Sequence, residues 1–423
     1  MGLPEAKQSL TTAYLDHVPA AEGDGWLPRA RRDARERVAA MGLPVARDEY
    51  WRFTKPEGFT DFEPAYQTET SRNAFFEDAE ALTLTFVDGI FDADQSDDLT
   101  LAGASVELLS KAGKLDLHWA KDSYGALEAK GQSPVERPLA AFTTQIASEG
   151  VLVHVTGQAE KPLRLRYISK GGQANLHHVI KLDEGASLTV LEEGLPGARS
   201  SVNMEVDVAS TAAFNHVRVQ GPEAERQSLT GIFAQLGEKS RFKSFTMSVN
   251  GVLTRNEAVI EFTGDNAHAH IAGACVGDGD FHHDDTVFIT HDGVDCESRQ
   301  VFKKVLRNGA TGVFQGKILV QPDAQKTDGY QISQGLMLDD DSQFLAKPEL
   351  EIYADDVACS HGSTVGSVDA DALFYLTSRG VPKAEAQNML LLAFLAEAMD
   401  EIEDQDLAEG LTARLGAWMD RRT

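Results

Sequence analysis

The chain has 423 residues, 42% of them apolar and 25% charged, as in ordinary globular proteins, and its length predicts two or three domains. Acidic residues outnumber basic ones by 66 to 39, and the resulting formal net charge of −27 argues against nucleic acid as a partner. No run approaches the ~18 apolar residues needed to span a bilayer, and the N-terminal region lacks the apolar segment of a secretory signal.

The three cysteines, Cys275, Cys296 and Cys359, are widely separated, and no two of them form a Cys-x-x-Cys pair. Closely spaced thiols are the usual local signature of structural zinc sites and of protein-bound iron–sulfur clusters. The sequence therefore predicts neither a structural zinc site nor a self-contained iron–sulfur cluster site. We expect no tightly bound cofactor in the isolated protein. So few cysteines fit a reducing compartment, and we expect the protein to be cytoplasmic.

Residues 1–148 are predicted to form a mixed, largely helical region. A helix is predicted from Pro28 to about Met41, where glycine and then proline stop it. Alternation over Leu82–Phe86 predicts a strand followed by an Asp-Gly turn. A second helix is predicted over Leu139–Ala147, with a glycine shortly after its end.

Residues 149–358 are predicted to be a succession of short strands with almost no helical periodicity. The connections are rich in glycine, aspartate and asparagine, as strand connections are. The runs that predict strands are 151–156, 163–169, 176–182, 188–192, 214–219, 242–249, 259–263, 286–290, 312–320 and 344–353.

A weak repeat marks the connections of this strand-rich region. Similar tetrapeptides recur at spacings of roughly 26 to 28 residues, within the range of a solenoid coil. A β-helix stacks such coils so that each buries its apolar stripe against its neighbours. A β-sandwich, whose strands recur every ~8–12 residues, is the alternative. The tetrapeptides begin at Gly185, Thr211, Lys239 and Asn266, and a later one at Asp341 has similar chemistry but a different spacing.

Residues 359–423 are predicted to be mainly helical. Asp369 is a good N-cap and Gly380 a good C-terminal stop for one helix, and a second helix follows Pro382. The apolar stripe of the second helix, which includes Leu390 and Phe394, is broad for a terminal helix. The simpler interpretation is that this apolar stripe docks on the chain's own domain. The alternative hypothesis is that the stripe binds a partner protein.

Nine of the twelve histidines fall between His154 and His291. His268 and His270 alternate along a predicted strand, so their imidazoles face one way and form a usable metal pair. A jelly-roll metalloenzyme of the cupin type would use such a pair with a nearby carboxylate and a further histidine. No glutamate follows closely, so the match is partial, and histidines on the solvent face of the fold are the simpler interpretation.

The segment from Lys347 to Gly380 holds the other candidate site, because an alternating strand there passes through Cys-Ser-His-Gly before a helix. Cys359 and His361 are two residues apart, so on a strand their side chains face the same way. A catalytic thiol is not favoured, since no helix N-terminus lies behind the sulfur. Considered without Cys359, His361 is more simply interpreted as a strand-end residue whose ring hydrogen-bonds a backbone carbonyl than as a functional residue. No phosphate-binding glycine loop occurs, so an ATPase is not predicted.

Long blocks of the chain resemble the SufB/SufD family of iron–sulfur cluster assembly proteins. They run in the family's order from Asp284 to Ala398 and include SRQVFKKVL, VFQGKILV, AQKTDGYQ and KPELEIYADDVACSHGSTVG. Weaker similarities lie upstream, in DEYWRFT near Trp51 and LTFVDGIF near Phe86. The resemblance implies a mainly β fold, with a right-handed parallel β-helix core flanked by helical N- and C-terminal regions.

Within the family, the chain is more similar to the SufD branch than to the SufB branch. It has Cys-Ser-His-Gly where SufB-like chains have a Glu-His-Glu type of segment. It also has Leu376 where SufB-like chains carry the cysteine associated with building the cluster. The resemblance therefore implies a subunit that does not assemble a cluster by itself.

The resemblance also implies partners and a shared site. SufD pairs with SufB through edge strands of the two β-helices, and each binds one SufC ATPase through its C-terminal region, here around Leu390 and Phe394. At the SufB interface His361 is the expected iron ligand for a transient, nascent cluster, with Cys359 as a lesser candidate. Related complexes carry reduced flavin, and the SufD branch is linked to iron supply, but the sequence locates neither site.

We therefore expect a non-enzymatic scaffold subunit of a SufB–SufC–SufD complex, with no nucleic-acid or membrane partner. A stand-alone, cupin-like metal enzyme that uses His268 and His270 is the alternative. A homodimeric interaction module without metal chemistry is a third hypothesis.

Overall fold

The structure is a computed structural model that describes residues 3–61, 69, 75–221 and 225–420. The α-helices are α1 (Glu5–His17), α2 (Trp26–Met41), α3 (Glu57–Thr60), α4 (Leu109–Ala112), α5 (Ala126–Lys130), α6 (Pro138–Ile146), α7 (Ala370–Ser378), α8 (Lys383–Met399) and α9 (Gln405–Asp420). The strands up to residue 220 are β1 (Leu82–Val87), β2 (Ile90–Asp92), β3 (Thr100–Leu101), β4 (Ala104–Leu108), β5 (Val151–Val155), β6 (Leu163–Ile168), β7 (Gln173–Leu182), β8 (Ser187–Gly194), β9 (Arg199–Val208) and β10 (Ala213–Gln220). The later strands are β11 (Gln227–Leu236), β12 (Arg241–Val249), β13 (Leu253–Phe262), β14 (His268–Asp278), β15 (His282–His291), β16 (Glu297–Arg307), β17 (Thr311–Val320), β18 (Asp328–Met337), β19 (Gln343–Ile352) and β20 (Ala358–Gly366).

From β5 onwards the chain passes alternately between two sheets. Sheet 1 has the order β2-β1-β6-β8-β10-β12-β14-β16-β18-β20, and sheet 2 has the order β19-β17-β15-β13-β11-β9-β7-β5-β4-β3. Each later strand pairs in parallel with the strands one coil before and one coil after it, as β14 does with β12 and β16. The result is a parallel β-helix of about seven turns, so the predicted fold class is confirmed. The β-sandwich is wrong, because its strands pair antiparallel.

The repeat in the sequence marks one corner of successive coils. The corner residue has a left-handed backbone, with φ between 56° and 70°. Its N–H donates to a carbonyl of the next coil, as Asn266 does to Val294 (2.9 Å). A small, buried residue such as Ala267 follows each corner and points into the interior. The tetrapeptide at Asp341 instead precedes β19 of sheet 2, which explains its different spacing. The corner residues are Gly185, Thr211, Lys239, Asn266, Asp295 and Lys326.

The interior between the sheets combines an apolar core with buried polar side chains in several coils. Alternate residues of each strand point inward, and on β14 these include Ala269 and Ile271, which belong to the main apolar core. The equivalent inward positions are Gln300 on β16 and Gln331 on β18, and both are buried. Polar side chains therefore line part of the interior, including the coils next to the C-terminal end.

The N-terminal region packs on the outer face of sheet 2. Helices α2 and α6 correspond to the two predicted helices, and β1 corresponds to the predicted strand. An apolar cluster joins Tyr14 and Phe142 of this region to Leu229 and Leu253 of the sheet. The helical region therefore covers one side of the β-helix.

A buried polar network fastens the segment around Trp51 to sheet 2. The Asp284 carboxylate accepts hydrogen bonds from Arg255 Nη1 (2.6 Å), Thr54 Oγ1 (2.5 Å) and Gln315 Nε2 (3.1 Å). The Arg255 guanidinium carbon also lies 4.2 Å from the centre of the Trp51 ring. The DEYWRFT segment thus has a structural role, because it satisfies charges that the sheet buries.

The C-terminal helices cover the outer face of sheet 1. Leu391 and Leu395 of α8 and Leu411 of α9 pack with Phe245 and Val301 of the sheet. The strand β20 runs on to residue 366, past the predicted boundary at 358, and α7 begins at residue 370. None of the helices in the described part of the chain is long and apolar enough to cross a membrane.

We predict that Asp284→Ala lowers the free energy of unfolding by about 3 kcal/mol, because the buried Arg255 then keeps only Glu257 as an ion-pair partner among the described residues. Thr54 and Gln315 also lose this acceptor. Denaturant unfolding of the purified chain measures the change. The control is Glu238→Ala, because the Glu238–Lys239 ion pair is exposed and its loss should cost no more than about 0.5 kcal/mol. Equal losses in the two variants would contradict the structural role of Asp284.

Candidate functional site at the open end of the β-helix

The two ends of the β-helix finish differently. At the N-terminal end the edge strands β2 and β3 are antiparallel and only 3 and 2 residues long. At the C-terminal end the edge strands β19 and β20 are 10 and 9 residues long. A long edge presents a row of backbone groups to which another strand can pair, whereas a very short edge resists pairing. We therefore call the C-terminal end the open end and treat it as the candidate functional surface.

Half of the backbone groups of β20 point away from the β-helix. The N–H of Ala358 donates to a carbonyl of the preceding coil at 2.8 Å, so the backbone groups of this residue point toward β18. Backbone groups alternate in direction along a strand, so those of Cys359, His361, Ser363 and Val365 face the free edge. These four residues offer their N–H and C=O groups to an added strand.

The neighbouring edge strand β19 is less suited to strand addition. The N–H of Gln343 donates to the preceding coil at 2.9 Å, and alternation from there places Pro348 on the outward side. Proline has no N–H to offer, and the charged residues Lys347 and Glu349 flank it. Proline and charge are common means of protecting a sheet edge. Strand β20 contains neither proline nor a lysine, arginine or carboxylate, so it is the more receptive edge.

The structure places Cys359 and His361 together at this open end. Cys359 lies beside Gly329 and His361 beside Gln331 of β18, and both side chains are on the strand face that turns inward. The half-buried thiol packs near Ile318, and burial raises the pKa of Cys359. The His361 side chain is exposed. One imidazole and one thiol can supply part of an iron coordination shell, and other ligands must come from outside this strand.

Leu390 and Phe394 lie on α8 and are both half-buried. The Phe394 ring packs against the cluster between α8 and sheet 1, and Lys303 Nζ lies 4.6 Å from its centre. The buried positions of α8 include Leu391 and Leu395. Much of the predicted stripe therefore docks on the chain's own sheet, while Leu390 stays partly accessible.

Helix α7 carries an exposed aromatic surface that the sequence analysis missed. This helix has 9 residues and buries none of its side chains. Phe374 is 72% exposed and Tyr375 is 55% exposed, and the Arg379 guanidinium carbon lies 3.5 Å from the Tyr375 ring centre. Two consecutive aromatic residues in a helix point about 100° apart, so a narrow apolar stripe facing the chain's own core does not cover both. That pattern is the signal that could have revealed the surface.

His268 and His270 face the same way, but carboxylates contact them. Glu297 oxygens lie 3.3 Å from a ring nitrogen of each histidine, and Glu401 Oε2 lies 3.0 Å from His270 Nδ1. The cupin hypothesis is wrong about the fold, because jelly-roll strands pair antiparallel and these pair in parallel. Within the described ranges, no group of three or more histidine, cysteine, aspartate or glutamate side chains is arranged to hold a metal ion.

Comparison with known proteins supports one family. Residues 166–394 match the family described as SUF system FeS cluster assembly, SufBD core domain. The iron-sulfur cluster assembly protein SufD of Escherichia coli (strain K12) is 29% identical over 98% of each chain. SufD of Bacillus subtilis (strain 168) is 26% identical over 68% of this chain and 67% of its own. Protein ABCI7, chloroplastic, of Arabidopsis thaliana is 24% identical over 60% of this chain and 56% of its own.

The matched family region covers more than half of the chain, and it contains both the edge strand β20 and the Cys359–His361 pair. The similarity to E. coli SufD extends over nearly the whole length, including the helical regions on both sides of the β-helix. The chain therefore belongs to the SufB/SufD family of iron–sulfur cluster assembly proteins, and it is SufD-like within that family.

Proposed function

We propose that this chain is a non-enzymatic scaffold subunit of a SufB–SufC–SufD complex in the cytoplasm. The observation that carries the proposal is the open end, where a long, unprotected edge strand also holds Cys359 and His361. Three free cysteines fit a reducing compartment, and the net charge of −27 disfavours nucleic acid as a partner. We assign no site to reduced flavin or to iron supply.

SufB pairs with this chain at β20. An added strand satisfies the outward backbone groups of Cys359, His361, Ser363 and Val365, and main-chain hydrogen bonds of this kind supply affinity. Val365 is 60% exposed and adds apolar area at the edge. The same edge can accept a second copy of this chain when SufB is absent, so homodimerisation of the isolated protein is a competing reaction.

We predict that Val365→Pro weakens SufB binding at least about ten-fold while the β-helix stays folded. Proline removes an N–H that faces the partner, and its ring obstructs the added strand, but the bonds to β18 remain. Co-purification with SufB and a binding titration measure the effect.

The matched control for this prediction is Val365→Ala, which removes the same exposed side chain but keeps the backbone donor. We expect its binding to stay within about three-fold of the unchanged chain. Equal losses in the proline and alanine variants would mean that the backbone edge is not the SufB contact.

The nascent cluster forms where His361 meets SufB. The exposed imidazole lies on the pairing strand, so strand addition brings it to the seam between the two subunits. Iron and sulfide are the cargo of this site, and Cys359 is a secondary ligand because its thiol is half-buried beside Ile318. Burial raises the pKa of Cys359 and so favours the protonated thiol, and iron binding to this sulfur must displace the proton.

We predict that His361→Ala reduces iron and sulfide loading of the purified complex at least about five-fold without dissociating it, because a ligand is lost and the backbone edge is kept. Iron and sulfide analysis of the three-subunit complex provides the measurement. Ser360→Ala is the control, because that exposed side chain lies on the opposite face of β20. Normal loading of the His361→Ala complex would refute the role of the imidazole.

SufC docks on the C-terminal helical region. The exposed aromatic surface of α7, formed by Phe374 and Tyr375, supplies the apolar anchors, and the partly accessible Leu390 extends it on α8. Aromatic side chains in accessible clusters are frequent energetic centres of protein interfaces. Phe394 contributes mainly by supporting α8 against sheet 1.

We predict that the double substitution Phe374→Ala and Tyr375→Ala weakens SufC binding by at least about 2 kcal/mol, because two aromatic anchors are removed. Binding titration with SufC gives this value, and thermal unfolding should be nearly unchanged since both rings are exposed. Ile90→Ala is the control, because Ile90 is 67% exposed at the other end of the β-helix. Undiminished SufC binding by the double variant would place the docking surface elsewhere.

A further inference from the structure

A pair of buried glutamines lies directly behind His361 inside the β-helix. Gln331 of β18 is in register with His361, and Gln300 of β16 is in register with Gln331. Registered residues of neighbouring parallel strands point to the same face, about 4.8 Å apart. The three side chains therefore form one row that runs from the open end into the interior.

The amide of Gln331 is fixed on one side and free on the other. Its Nε2 donates to Gln300 Oε1 at 2.9 Å, whereas its Oε1 has no hydrogen-bond partner among the described residues. The residue is 0% exposed, and a buried amide oxygen is normally hydrogen-bonded. This oxygen is an unsatisfied acceptor on the residue in register with His361, whose imidazole can supply a donor.

Gly316 on the opposite sheet provides the space that this arrangement needs. A Cβ atom placed on Gly316 would lie 2.1 Å from Nε2 of Gln331, so any larger residue displaces the amide. Gln331 is thus held by Gln300 along the sheet and accommodated by a glycine across the interior. The position of its side chain is set before any partner binds.

We infer that Gln331 is a positioning residue for His361. When the exposed His361 ring turns toward β18, Gln331 Oε1 accepts a hydrogen bond from one imidazole N–H, and the tautomer selected in this way leaves the other ring nitrogen free to bind iron. Histidines that bind metals commonly donate their second N–H to a fixed acceptor, which selects the tautomer and the ring orientation. This inference rests on the proposed function for its biological meaning, but the hydrogen bond can be tested in the isolated chain.

The test compares Gln331→Met with Gln300→Met in the full-length protein. Both variants replace a buried glutamine and break the same Gln331–Gln300 hydrogen bond, but only the first removes the unpartnered oxygen of the residue in register with His361. Nitrogen-15 NMR of labelled histidine measures the tautomer ratio of His361, and His361→Ala identifies its signals. We expect a change of about five-fold in Gln331→Met, equivalent to roughly 1 kcal/mol for one hydrogen bond, and less than two-fold in Gln300→Met.

Gly316→Ala is the second variant, because it displaces the Gln331 amide without removing it. It should change the tautomer ratio in the same direction as Gln331→Met. An unchanged ratio in both Gln331→Met and Gly316→Ala overturns the inference, and so does an equal change in Gln331→Met and Gln300→Met.

Iron and sulfide loading of the complex separates this inference from the proposed function. If the tautomer ratio changes as expected but the His361→Ala complex loads normally, Gln331 positions the imidazole and the proposed cluster site is wrong. If His361→Ala loses loading while Gln331→Met leaves both tautomer and loading unchanged, the cluster site stands and the positioning role is wrong.

Discussion

The fold depends on parallel strand pairing from coil to coil, and each coil satisfies the backbone groups of the one before it. This constraint leaves two ends where the pairing must stop. The short antiparallel strands β2 and β3 close one end, and the nine-residue β20 leaves the other open. The left-handed corner residues keep the coils in register, because their N–H groups bond from one coil to the next. A partner strand at β20 would continue the same pattern of hydrogen bonds.

The N-terminal region contacts β19, one of the two edge strands at the open end. Tyr50 donates a hydrogen bond to Glu349 of β19 at 2.5 Å, and Lys347 of β19 pairs with Glu49 at 2.7 Å. These side-chain contacts hold the N-terminal region against β19, and Pro348 removes a backbone donor from the free edge of that strand. Strand β20 of sheet 1 has no such cover in the described part of the chain, so the edge that carries His361 is the one left for a partner. Edge protection and the proposed chemical function are thus divided between β19 and β20.

The corner turns impose a spacing that is visible without coordinates, and this spacing favoured a coil architecture slightly over a β-sandwich, while the family resemblance implied the β-helix. The sequence also predicted that Cys359 and His361 share a strand face, since two-residue alternation is a local property. It did not predict that Glu401 would contact His270, because that contact joins residues far apart in the chain. The exposure of Phe374 and Tyr375 was missed because a nine-residue helix is too short for a clear apolar stripe. The sequence also could not show which amides of β20 point toward β18, because a tertiary hydrogen bond from Ala358 identifies them.

Amide hydrogen exchange along β20, followed by NMR in the dilute monomer and in the complex with SufB, tests the central claim most directly. In the monomer, the amides of Ser360, Gly362 and Thr364 should be protected by β18, and those of His361, Ser363 and Val365 should exchange rapidly. On SufB binding the second set should become protected as well. Protection of that set already in the monomer, or continued rapid exchange in the complex, would contradict pairing through this edge.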